Sequence, residues 1–215
     1  MSVAASLLVD DDKASGADLM GTLVNEKGDV VSSVRQHLAR PAPPQKGRMV
    51  YTMQFPNVAP GLYQVRVAAL EAAGGRAGGA REWVEVPDLS KGGFALSGLF
   101  LSEVAAGAPQ ASPVSADRRF PRASRVRFMA QIYNASRAPS PNLTLELRLS
   151  SGGRTIIETP PAPVSIEGVT DLAHIPVTGE FPLEGFAPGV YEMKLTVTDR
   201  VAGKGASRQV VFVVE

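Results

Sequence analysis

A segment that occurs twice constrains this chain more than any other feature. Val58-Ala59-Pro60-Gly61-Leu62-Tyr63 opens one copy, and Phe186-Ala187-Pro188-Gly189-Val190-Tyr191 opens the other, 128 residues later. In each copy the Tyr begins an alternating strand and the chain turns through Gly75-Arg76 or Gly203-Lys204. It then returns through a Val-rich strand at residues 83–86 or 211–214, with no change of offset. A unit repeated at that spacing is the size of a domain, so the chain reads as two similar β-domains in tandem, residues 1–90 and 91–215.

Composition agrees with two small all-β domains. The 21 Gly and 17 Pro sit between short apolar runs, where turns of a sandwich or barrel belong. The 22 basic residues are matched by 21 acidic ones, which leaves no excess of positive charge for a nucleic-acid surface. With no Cys there is no disulfide framework, thiol nucleophile or thiolate metal site, so stability must come from burial. Residues 1–12 hold only the apolar run 3–9, with no basic n-region before it and a triple Asp after it. That pattern is neither a secretory signal nor a membrane span, and no membrane insertion is expected. Strand-like segments close to both ends suggest a piece trimmed to its folded part.

About six strands are expected in the first domain and seven in the second. Residues 17–25 and 29–38 flank Glu26-Lys27-Gly28 and form a hairpin. Residues 48–55 follow, and then 61–70, with Tyr63, Val65, Val67 and Ala69 on one face and Gln64 and Arg66 on the other. Pro87-Asp88-Leu89-Ser90-Lys91-Gly92-Gly93 marks the boundary. The second domain opens with a strand at 94–103 and a long loop at 104–121. In the strand 125–134, Val126, Phe128, Ala130 and Ile132 point inward and Arg125, Arg127 and Gln131 outward. Leu143, Leu145, Leu147 and Leu149 alternate, Ser151-Gly152-Gly153 turns that strand into 154–158, and Pro160, Pro161 and Pro163 end it. Residues 171–181 lead into the second copy of the repeat. This spacing predicts two tandem immunoglobulin/fibronectin-III-like β-sandwich domains, with Tyr63 and Tyr191 as structural tyrosine corners. The missing Cys pair and core Trp exclude a standard antibody-type domain.

Three runs in order carry a family resemblance: Pro60-Gly61-Leu62-Tyr63-Gln64-Val65-Arg66-Val67, Trp83-Val84-Glu85-Val86-Pro87-Asp88-Leu89-Ser90 and Leu96-Ser97-Gly98-Leu99. Asn25-Glu26-Lys27-Gly28, Gln131-Ile132-Tyr133-Asn134 and Thr196-Val197-Thr198-Asp199 extend it over nearly the whole chain. Together they resemble the C-terminal region of bacterial von Willebrand factor A (VWFA)-related proteins. The resemblance implies an upstream VWFA domain and an extracytoplasmic location: secreted, periplasmic or at the cell surface. It does not carry over metal-dependent adhesion, because the Asp-x-Ser-x-Ser loop is missing and Asp88-Leu89-Ser90 runs into Lys91-Gly92. Glu71 stands where the family has Asp, and the second copy has Asp199.

Each candidate for chemistry has a plainer reading beside it. His37 and His174 fall one in each domain with no nucleophile motif nearby, which favours surface or packing roles over catalysis. The same isolation argues against zinc. Asp10-Asp11-Asp12 could offer oxygens to calcium, but adjacent residues point apart and a solvated turn fits better. Gly74-Gly75-Arg76-Ala77-Gly78-Gly79 resembles a phosphate loop, yet it precedes a strand and reads as a hairpin tip. Arg118, Arg119, Arg122, Arg125 and Arg127 form either a polyanion-binding patch or a solvated, internally paired cluster. Trp83, the only Trp, is out of phase with Val84 and Val86, so it either covers a junction or marks a ligand surface. Asn134-Ala135-Ser136 and Asn142-Leu143-Thr144 match the glycosylation pattern, silent in a bacterial source. These readings converge on a non-catalytic structural or protein-interaction module without a cofactor or metal. It would act on a protein partner or a second copy of itself through sheet faces or edges. A glycan-binding accessory module using Trp83 or the arginine patch is the alternative.

Overall fold

The computed structural model describes residues 2–9, 16–39, 47–71, 77–90, 92–105, 107, 114–137 and 140–215. Among them the fold is all-β, built from several sheets, and no helix is long and apolar enough to cross a membrane. The contacts group the chain into two compact units, Met1–Asp88 and Leu89–Glu215. Residues 89 and 93 go with the second unit because Asn134 Nδ2 donates to the carbonyls of Leu89 (3.0 Å) and Gly93 (3.1 Å). Asn134 holds a positive φ of 56°, a conformation Asn tolerates better than most residues. Its amide is thus committed to the backbone. The triple Asp at 10–12 and the tip at 74–76 lie outside the described residues.

The first unit contains β1 (Ser2–Val9), β2 (Gly16–Asn25), β3 (Val30–Ala39), β4 (Gly47–Gln54), β5 (Gly61–Glu71) and β6 (Ala77–Val86). Strands β1 and β4 pair antiparallel, and the other four form a sheet in the order β3-β2-β5-β6. Gly28 supplies the positive φ (88°) of the β2–β3 turn, and a bulge at Leu23/Val24 follows it in the ladder. Leu23, Met53, Phe55, Tyr63 and Val65 make the core. Gly21 makes room for it, since a Cβ there would lie 2.8 Å from Met53 Sδ and 2.9 Å from Phe55 Cζ.

The second unit contains β7 (Ala95–Leu96), β8 (Phe100–Val104), β9 (Arg119–Phe120), β10 (Arg125–Tyr133), β11 (Leu143–Ser151), β12 (Arg154–Glu158), β13 (Ala162–Pro163), β14 (His174–Pro182), β15 (Gly189–Asp199) and β16 (Lys204–Val214). One sheet runs β14-β10-β7, with β8 also on β10; the other runs β12-β11-β15-β16-β9, with β13 also on β11. Val126, Phe128, Ala130 and Ile132 from the first sheet share one core with Leu147, Leu149, Tyr191, Leu195 and Phe212 from the second, consistent with a β-sandwich. Inward alternation along β10 is therefore as the sequence predicts.

Two local expectations change. The strand expected at 94–103 breaks into β7 and β8, because Ser97 Oγ accepts the Gln131 N–H (2.8 Å) and takes a place in the ladder. Arg119 is not in a loop: with Phe120 it forms β9, parallel to Val213 and Val214 of β16. The strand 154–158 ends at Glu158 as its following prolines predict, and Pro163 then joins Ala162 in the separate short β13, opposite Thr144.

Candidate interaction surface

The two copies of the repeat fold to one geometry. In the β5–β6 hairpin Gly61 faces Val86 and Tyr63 faces Val84; in β15–β16 Gly189 faces Val214 and Tyr191 faces Phe212, each position moved by the same offset. Tyr63 donates its hydroxyl hydrogen to Ala59 O at 2.9 Å, and Tyr191 does the same to Ala187 O at 2.9 Å. Gly61 and Gly189 share an unusual φ, 154° and 155°, which disfavours any side chain. The Pro-Gly-x-Tyr run is thus a corner: Gly turns the chain into the strand and Tyr ties the turn back to its own approach.

Strand alternation then sets what each hairpin shows to solvent. Leu62 and Trp83 face outward in the first copy, 39% and 52% exposed. Their counterparts Val190 and Val211 are 59% and 46% exposed. Trp83 lies opposite Gln64, and Leu62 lies opposite Glu85, so the two apolar side chains are diagonal neighbours across the ladder. A large apolar pair left in water at the same place in both units is a candidate contact surface.

Edge position adds backbone to this face. Strand β6 ends its sheet, and every residue of it is exposed or half-exposed. Among the described residues Arg81, Glu82 and Glu85 make no side-chain hydrogen bond or ion pair. Arg81 sits directly opposite Arg66, whose Nε donates instead to Gln64 Oε1 at 2.7 Å. Two like charges opposed across a ladder are unfavourable, so Arg81 lacks the acidic neighbour its position calls for.

The arginine cluster does not converge. Arg125 and Arg127 lie on β10 and share Glu180 on β14, with Arg127 Nε 2.7 Å from Oε1 and Arg125 Nη2 3.4 Å from Oε2. Arg119 belongs to the other sheet and binds Glu215 at 2.5 Å. Arg118 and Arg122 engage neighbours through their backbone N–H groups, with Ser115 Oγ and Glu215 O as acceptors. Three of the five guanidinium groups are therefore neutralised internally.

Both histidines have carboxylate partners that sequence reasoning missed. His37 Nδ1 lies 2.9 Å from Asp18 across the β2–β3 ladder, and His174 Nδ1 lies 2.5 Å from Asp171 three residues earlier. The hydrogen bond from His174, then that from the Ala173 N–H, holds the Asp171 carboxyl below its usual range. Both pairs are exposed, and no three His, Cys, Asp or Glu side chains come together among the described residues.

One buried carboxylate is structural. Asp199, fully buried at the end of β15, accepts the N–H of Ser136 (2.7 Å), Val201 (2.9 Å) and Ala202 (3.0 Å). Burial pushes its pKa up, but these three bonds and the Lys204 charge outweigh it and the net shift is downward. No protein-family model matches this sequence, and comparison with curated proteins finds none that matches either.

Proposed function

We propose that the chain is a non-catalytic protein-interaction module: two tandem immunoglobulin/fibronectin-III-like sandwiches, related to the C-terminal region of bacterial VWFA-related proteins and working outside the cytoplasm. Support for the tandem reading comes from the repeated hairpin, with its equal register and equal Tyr corner. The observation that carries the functional reading is the outward apolar pair, Leu62 with Trp83 and Val190 with Val211, exposed at the same place in both units. A fold that needed these side chains for its own core would bury them. Left outside, they supply apolar contact area, which in the first unit lies beside a sheet edge, and these are the usual ingredients of strand addition by a partner.

The test is site-specific photo-cross-linking in the cells that make the protein, with p-benzoylphenylalanine at Leu62, Val190 or Val211 and, as control, at the exposed turn residue Glu167. Discrete protein adducts from the three face positions and none from Glu167 are expected. Equal labelling from all four, or none from any, would refute the reading. Exposure of Trp83 favours a second reading, a glycan-binding accessory module. Titration of cell-envelope glycan fragments against wild type and Trp83→Ala separates the two, since only the glycan reading expects binding that the substitution abolishes.

A further inference from the structure

Resting on that reading and naming the partner, we infer that β6 pairs antiparallel with β6 of a second copy of this chain, about a two-fold axis at Trp83. The strand is an edge, and its outer backbone groups have no strand beside them among the described residues. Such an edge is a template for another strand unless proline, a bulge or charge blunts it, and charge blunts it only where the pairing leaves it unmatched. Residues 77–86 contain no Pro and no irregular register.

Charge and chirality select the register. A two-fold axis perpendicular to the sheet keeps both copies of a strand the same face up, so only residues of equal parity can oppose one another. Centres from Ala80 to Val84 give useful overlap, of which Ala80 leaves Arg81 opposite Gly79 and Glu82 opposite Gly78 with no charge matched, and Arg81 sets two guanidinium groups against each other. Centring on Glu82 sets two carboxylates against each other. Centring on Val84 places Glu85 opposite Trp83 and limits the overlap to residues 82–86, with no opposite charges paired. Centring on Trp83 places Arg81 opposite Glu85 twice, once on each side of a Trp83–Trp83 contact. All six of these side chains lie on the outer face, where Arg81 has an arginine as its neighbour within the chain and Glu85 only Leu62. The pairing gives each of these charges the partner it lacks and covers the exposed indole.

An edge contact this narrow belongs to the weak, transient class, so association must be followed by light scattering up to about 1 mM. The full chain is expected to reach a dimer and stop there. Arg81→Glu and Glu85→Arg should each weaken the dimer by about tenfold to a hundredfold, because two attractive pairs become two repulsive ones. Mixing the two variants should restore association as a heterodimer, since both of its 81–85 pairs are then of opposite sign, and the double variant should recover the homodimer. Both positions are exposed and circular dichroism of each variant checks folding. A strict monomer over the whole range, a dimer indifferent to both reversals, or a mixture that fails to recover would each overturn the inference. None of these touches the parent reading, which is tested by cross-links from Leu62, Val190 and Val211 against Glu167, and of these Val190 and Val211 are remote in sequence from β6.

Discussion

Replacing Asp199 by Ala is the sharpest test of how the second unit is held together. The carboxylate is fully buried and accepts three backbone N–H groups, tying the loop after β10 to the β15–β16 turn. Hydrogen bonds to a charged acceptor each contribute about 1.5–3 kcal/mol, and water recovers part of that when the acceptor is removed. The expected loss is about 3–5 kcal/mol, or roughly 10–20 °C in midpoint for a unit of this size. Asp199→Asn should fall between, because Oδ1 can still accept from Val201 and Ala202 while the new amide opposes the Ser136 N–H. The pH dependence has a definite sign. Since the folded pKa is lowered, the contribution is complete above the unfolded value of about 3.9 and is lost as pH falls through the lower folded value. Urea unfolding of the full chain between pH 6 and pH 2 measures this, with amide exchange at Ser136, Val201 and Ala202 as the local reporter. An Asp199→Ala loss under about 1 kcal/mol, or an acid slope identical in wild type and Asp199→Asn, would refute the assignment.

Other substitutions probe the packing. Gly179→Ala puts a Cβ 2.5 Å from Phe128 Cζ, a rigid ring, and should cost about 1–3 kcal/mol; adding Phe128→Leu should recover part of it in a double-mutant cycle. Gly21→Ala meets the flexible end of Met53 as well as Phe55, so its loss in thermal midpoint should be the smaller of the two. Tyr63→Phe and Tyr191→Phe each remove one 2.9 Å bond of the same geometry, so each should lower stability by about 1 kcal/mol in denaturant titrations.

Period-two features were readable from residue types alone. Val126, Phe128, Ala130 and Ile132 are buried because a strand under a second sheet has one dry face, and alternation records that directly. Equal spacing between Pro60-Gly61 and Tyr63 in both copies likewise made the corner visible. What stayed hidden depends on partners distant in the chain. Nothing local announces that Ser97 Oγ will intercept the Gln131 N–H, or that Arg119 and Phe120 will lie along Val213 and Val214. The Asp18–His37 pair could have been found by counting back from the Gly28 turn with one bulged residue, and the Asp171–His174 pair from its spacing of three. The edge status of β6 could not, since the repeat specifies a hairpin and not where that hairpin sits in its sheet.

That last point separates two strands that the repeat makes equivalent. At its C-terminal end β16 is covered by β9, and Arg119 binds Glu215 just beyond it. Its charges within the strand, Lys204 and Arg208, are both basic, so no register of β16 on itself yields an opposite pair. Strand β6 has no such cover among the described residues and carries both signs, Arg81 with Glu82 and Glu85. The difference bears on assembly. A tandem repeat with two equally adhesive edges could join copies through alternate units, and contacts of that kind continue into open polymers. With one edge capped and of one sign and the other self-complementary, association through these strands is isologous and closes at two copies. The duplicated hairpin thus provides the scaffold, and the few residues by which the copies differ set how far assembly can go.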